Sequence, residues 1–114
     1  MKILKPDAEA AKGWFFGAWG SDLAINVGYA NAGVDEPHYH RTVTEVYLVA
    51  CGSATIRVGS NDITLAARSV AIIEPGEAHT FIDSTPDYYH FVIHTPGLQG
   101  DAAAADKVVL SLGS

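Results

Sequence analysis

Cysteine occurs once, at Cys51. A lone thiol forms no intrachain disulfide, so nothing in the composition points to an oxidising compartment. Basic charge is also scarce. Seven Lys and Arg stand against thirteen Asp and Glu, for a net charge of −6. Nucleic acids and anionic membranes attract clustered cations. The scattered ones here exclude both as expected partners. No apolar run approaches the ~20 residues that a membrane-spanning helix needs. Met1 to Asp7 breaks its apolar residues with lysines and a proline, which does not read as a signal peptide. A soluble, cytoplasmic protein is the expectation.

What is present favours strands. Eleven glycines and five prolines are spread among many Val, Ile, Thr and Tyr residues over 114 positions. That mixture reads as short strands joined by turns within one small domain. Expected strands are Leu23–Tyr29, Glu45–Ala50, Ala54–Val58, Ile63–Leu65, Val70–Ile73, His79–Ile82 and Tyr88–His94, with a last one at Val108–Leu112. Turns fall at 31–33, 59–62, Pro75-Gly76 and Pro96-Gly97. Residues 101–106 read as a helical turn capped by Asp101. The expectation is an all-β, antiparallel fold of two packed sheets. Residues 1–22 are taken as an arm and edge strand, 23–97 as the core and 98–114 as a tail or edge strand. Trp14, Phe15, Phe16 and Trp19 read as an edge strand or a homodimer surface, or as the wall of a ligand pocket.

The sharpest pattern runs from Gly33 to Glu45. Strand residues two apart share a face, so His38 and His40 project together with backbones ~7 Å apart. Two imidazoles so placed can converge on one divalent ion, and Glu45 follows closely enough to return to it. The Pro75-Gly76 turn then delivers His79 at the mouth of the apolar Val70–Ile73 segment. A histidine entering such surroundings needs a partner.

These residues resemble the cupin superfamily. Its first motif, G-x5-H-x-H-x(3,4)-E-x6-G, is matched by His38, His40, Glu45 and Gly52, with Gly33 one residue nearer to His38 than the pattern asks. Its second motif, P-x-G-x-x-H with a later N, is matched by Gly76 and His79. Glu74 stands in the place of the first proline of the P-P-G variant, and Asp83 in that of the asparagine. The resemblance covers roughly residues 23 to 97. It implies a jelly-roll β-barrel holding one divalent metal ion (Fe, Mn, Ni or Zn) through His38, His40, Glu45 and His79. The same fold carries dioxygenases, isomerases, epimerases, decarboxylases and binding proteins, so the reaction stays open.

Around the quartet, Tyr47 and Val49 share the strand parity of Glu45, and Phe81 that of His79. Tyr47 reads as core, or as a catalytic donor to a bound substrate. Phe81 reads as packing, and Cys51 as a small buried hydrophobe. Arg57 reads as surface, or as a carboxylate partner if it points inward. Tyr89, Phe91 and Ile93 look like core, which places His90 and His94 outside or in a dimer contact. If they face inward instead, His90 is the spare general base. Three functions stay open: a metal-dependent oxygenase or isomerase/cyclase acting on a small oxygenated molecule, a non-catalytic module binding a sugar or small acid, and a metal-stapled structural protein.

Overall fold

The computed structural model describes residues 1–32 and 35–110. Gly33 of the first motif and the expected strand end at 111–112 lie outside the described residues. Ten strands form two five-stranded antiparallel sheets. In chain order they are β1 (Lys12–Phe16), β2 (Asn26–Ala30), β3 (His38–His40), β4 (Thr44–Cys51), β5 (Ser53–Val58), β6 (Asn61–Ala66), β7 (Val70–Ile73), β8 (His79–Ser84), β9 (Tyr89–Thr95) and β10 (Lys107–Val109). One sheet is ordered β1-β2-β9-β4-β7 and the other β10-β3-β8-β5-β6. One short helix, α1 (Gly100–Asp106), leads into β10. No helix among the described residues is long and apolar enough to cross a membrane.

Alternation makes the core. Tyr47, Val49, Ile73 and Val92 from the first sheet meet Ala54, Ile56, Leu65 and Phe81 from the second. Ile56 is 1% exposed, and burying such a side chain contributes about 1.5–3 kcal/mol. The other parity carries Arg57 to the surface, where it pairs with Asp62 at 2.7 Å. At the β4–β5 turn Gly52 has φ of +69°, and a Cβ there would lie 2.7 Å from the Tyr88 backbone. Only glycine combines that dihedral with that approach. The residues before β1 make one turn, and the Asp7 N–H donates to Tyr29 Oη at 2.9 Å, pinning the arm to β2.

Four sequence expectations need correction. Cys51 is exposed, not buried. The β4–β9 register shifts between Val49 and Cys51, so alternation no longer sets its direction, and its thiol meets the Asp87 carbonyl. Asp101 does not cap α1. Gln99 holds the cap position with no side-chain bond, and the helix runs seven residues. The last strand begins one residue earlier than expected, at Lys107, and pairs with β3.

The fourth correction concerns β9. His90 is buried and His94 half-buried, both on the inner side, while Phe91 is 38% exposed and Tyr89 and Ile93 are only partly covered. The usual rule of apolar side in assumes a dry interior. Here the inner side of this sheet lines a polar cavity. The apolar parity faces outward instead, where Val27, Ile93, Val46 and Ile72 run across four strands.

Candidate metal centre

His38 and His40 stand at the two ends of β3, and both are buried. His38 pairs across with His79, the first residue of β8. Glu45 reaches the same point from β4 in the opposite sheet. The four residues singled out from the sequence are thus brought together. Glu45 Oε1 lies 2.8 Å from His79 Nε2, 3.2 Å from His40 Nε2 and 3.9 Å from His38 Nε2.

The far side of each ring decides what these atoms offer. Nδ1 of His38 meets the Glu36 carbonyl at 2.8 Å, and Nδ1 of His79 meets the Glu77 carbonyl at 2.9 Å. Nδ1 of His40 meets Asp106 Oδ2 at 2.6 Å. Carbonyls and carboxylates only accept, so each Nδ1 carries the proton and each neutral ring turns an Nε2 lone pair inward. Three lone pairs therefore face a carboxylate oxygen. Both His79 Nε2 and Glu45 Oε1 are buried there without a hydrogen-bond partner. Acceptors crowded against acceptors need a cation between them, a proton or a metal ion, and three imidazoles plus one carboxylate form a donor set that suits a borderline divalent ion. The residues fit a metal.

The second carboxylate oxygen is used differently. Tyr47 Oη donates to Glu45 Oε2 at 2.8 Å, and His94 Nε2 donates to it at 2.9 Å. Two donors occupy Oε2, so Oε1 alone is left for the histidines. Burial would push the Glu45 carboxyl up, but in the metal-free site protons on Nε2 of His40 and His79, with that of His94, would bond it and hold it well below the usual carboxylate range. In that metal-free state burial works against charge on His40 and His79, yet Glu45 outweighs it and both sit above the ordinary histidine value, so a metal ion would take the place of protons on their Nε2 atoms. His38 is lowered, chiefly by burial. The Tyr47 hydroxyl is raised far above its ordinary value by burial and by the adjacent carboxylate.

Asp106 is the residue that sequence reasoning missed. It ends α1, and besides His40 its carboxylate accepts the N–H groups of Thr42 and Val43 at 2.6 and 3.1 Å. It thereby holds the β3–β4 connection and the His40 ring together. The sequence favours an outward or dimer-contact place for His94, with an inward one as the alternative, and gives it no role at the metal centre. The one signal for it was polar spacing with His90 on a strand whose other parity is apolar.

His38, His40 and Glu45 form one wall of a cavity of about 490 Å3, which Trp14, Trp19, Asn26 and His94 also line. Trp14 packs edge-on against His94 at 4.9 Å and against Trp19 at 5.9 Å between ring centroids. Both indoles are about half exposed. Tyr47 lines the same cavity. His90 lies deeper. Its Nδ1 is 2.6 Å from Tyr88 Oη, and burial lowers its pKa to about 4.

Comparison with known proteins bears on the family and the fold. No curated protein matches the chain. Solved structures do match in fold. A protein from Planctomyces limnophilus is 22% identical with a TM-score of 0.65, covering 84% of this chain and 77% of that one. A Cupin 2 conserved barrel domain protein from Salinispora arenicola CNS-205 is 12% identical with a TM-score of 0.67, covering 83% and 88%. Pac13 of Streptomyces, a nucleoside dehydratase solved with uridine, is 13% identical with a TM-score of 0.69, covering 96% and 92%. The family model described as Cupin domain matches residues 27–93, and the chain belongs to that family.

Proposed function

We propose that this chain is a metal-dependent enzyme that moves a proton on a small oxygenated substrate, in the isomerase or cyclase class. The observation that carries the reading is the convergence of three Nε2 lone pairs on Glu45 Oε1 at the wall of a cavity. His38, His40, Glu45 and His79 are the ligands, and the jelly-roll barrel is the scaffold around them. A bound divalent ion supplies Lewis acidity to a substrate oxygen. His94 is the group that holds the proton. Its Nε2–H is spent on Glu45, which leaves the Nδ1 lone pair for a substrate proton. Tyr47 spends its own proton on Glu45, so in this reading it positions the carboxylate. Trp14 and Trp19 form the mouth and cover the substrate ring.

The experiment is deuterium exchange. Protein loaded in turn with zinc, manganese, nickel and iron is incubated in D2O with nucleosides, sugars and sugar acids, and the products are weighed by mass spectrometry. Deuterium gain or an isomerised or cyclised product, lost in His94→Ala, supports the reading. Saturable binding with no exchange makes the chain a binding module. An oxygen-dependent mass gain with iron makes it a dioxygenase.

We also propose a homodimer. The outward row Val27–Ile93–Val46–Ile72, flanked by Phe91, Leu48 and Val70, supports this. Val70 and Ile72 are about 60% exposed within a contiguous apolar sheet face, the kind of patch that a second subunit covers.

A further inference from the structure

A second cavity adjoins the first, sharing Trp14, Tyr47 and His94 with it, and none of the four metal-centre residues lines it. It measures about 450 Å3 and is bounded by Trp14, Tyr47, His90, Val92 and His94. Ala30 of β2 stands opposite His90 of β9 and lines the cavity beside that ring. A Cβ on Gly28 would come within 2.9 Å of the Trp14 ring, so the indole lies against that glycine.

His90 is 4% exposed, and the only side-chain hydrogen bond of its ring among the described residues is the one between Nδ1 and Tyr88 Oη. Tyr88 is itself 1% exposed, and its hydroxyl has no other partner among the described residues. If Nδ1–H donated to Tyr88, the tyrosine proton would be stranded in the core at a cost of about 1–3 kcal/mol. The hydroxyl therefore donates and Nδ1 accepts. A neutral imidazole carries one proton, so that proton is on Nε2. Burial keeps this ring uncharged at neutral pH. The ring nitrogen of His90 left unpaired beside this cavity is thus a donor. At the rim stand the cations Lys12 and Lys107 and one carboxylate, Asp35. Asp35 Oδ1 already accepts from the Thr80 hydroxyl and the Phe81 N–H.

We infer that this second cavity binds the end of the substrate that carries an oxygen acceptor, a carbonyl or a carboxylate, and that His90 Nε2–H, locked in that tautomer by Tyr88, donates to it. This rests on the reading that the cavity takes a small oxygenated substrate. It also turns His90 from a general base into a neutral donor, because its proton already sits on the nitrogen that faces the ligand. Tyr88 is a positioning residue that acts through the His90 tautomer.

The test is long-range 1H–15N correlation spectroscopy on the full chain, with and without zinc, titrated with cyclopentanone and with cyclopentanecarboxylate. His90 should show a protonated Nε2 and a bare Nδ1. One of the two probes should move the Nε2–H resonance saturably, and which one does so assigns carbonyl or carboxylate. His90→Phe should weaken that probe about five- to tenfold, whereas His90→Gln, which keeps an N–H near the Nε2 position, should retain most of the affinity. Tyr88→Phe should mix the tautomers. An Nδ1–H tautomer in the unaltered protein, no response to either probe, or probe binding by His90→Phe equal to that of the unaltered protein would overturn the inference. Metal content measured in parallel separates the two readings: a chain that takes up no zinc yet shows the probe shift keeps this subsite and loses the metal-dependent function.

Discussion

Tyr47 Oη donates to Glu45 Oε2 at 2.8 Å, from two residues further along the inner side of the same strand. The bond fixes which carboxylate oxygen faces His38, His40 and His79. Because His94 donates to the same Oε2, Glu45 is clamped from two directions before any ligand arrives.

Tyr47→Phe keeps the ring and removes that donor. Removing a group that orients a ligand typically costs 10–100-fold in metal affinity. Isothermal titration with zinc should show a Kd raised by about tenfold or more, with an unchanged circular dichroism spectrum. An unchanged Kd would show that His94 alone holds the carboxylate.

Asp106→Asn tests the C-terminal strap. The carboxylate bonds His40 Nδ1 and two backbone N–H groups. The amide retains one acceptor oxygen and loses the charge. Thermal unfolding of the metal-free protein should show a loss of about 1–3 kcal/mol, and zinc affinity should fall as well. A variant with native stability would mean that β10 docks without the strap.

These residues differ in how far the sequence discloses them. Alternation alone aligns His38 with His40, and the Pro75-Gly76 turn places His79 at a strand start, so three of the proposed ligands follow from local rules. Asp106 has no local signature. It reaches His40 only because β10 pairs with β3, a contact between chain segments far apart in sequence. His90 and His94 were assigned outward because Tyr89, Phe91 and Ile93 resemble core. That inference fails where one face of a sheet lines a polar cavity and the other carries exposed apolar side chains. Cys51 fails for a smaller reason, since the register shift beside it ends the alternation.

Acid should weaken the fold through His90. Its folded pKa is about 4 against 6.5 for an unperturbed histidine. Below the unfolded value the unfolded chain takes a proton that the folded chain refuses. Stability is therefore lost as pH falls from about 6.5 towards 4, by up to about 3 kcal/mol, and the loss levels off below that. Urea unfolding across this range should show the slope in the unaltered protein and a shallower one in His90→Phe. Parallel slopes would mean that His90 titrates normally.

The outer sheet face should govern assembly. Ile72→Glu places a charge among Val46, Ile93 and Val27, and Ile72 is 61% exposed, so the single chain tolerates it. Sedimentation equilibrium should give a dimer for the unaltered chain and a monomer for the variant, both with the same circular dichroism spectrum. A monomer in both cases would contradict the homodimer.

The central claim is one divalent ion held by His38, His40, Glu45 and His79. Anomalous diffraction from crystals of zinc-loaded protein tests it most directly. The account predicts a single strong peak shared by the Nε2 atoms of the three histidines and Glu45 Oε1. A map with no peak there, or a peak centred on Glu45 Oε2 and His94 instead, would contradict it.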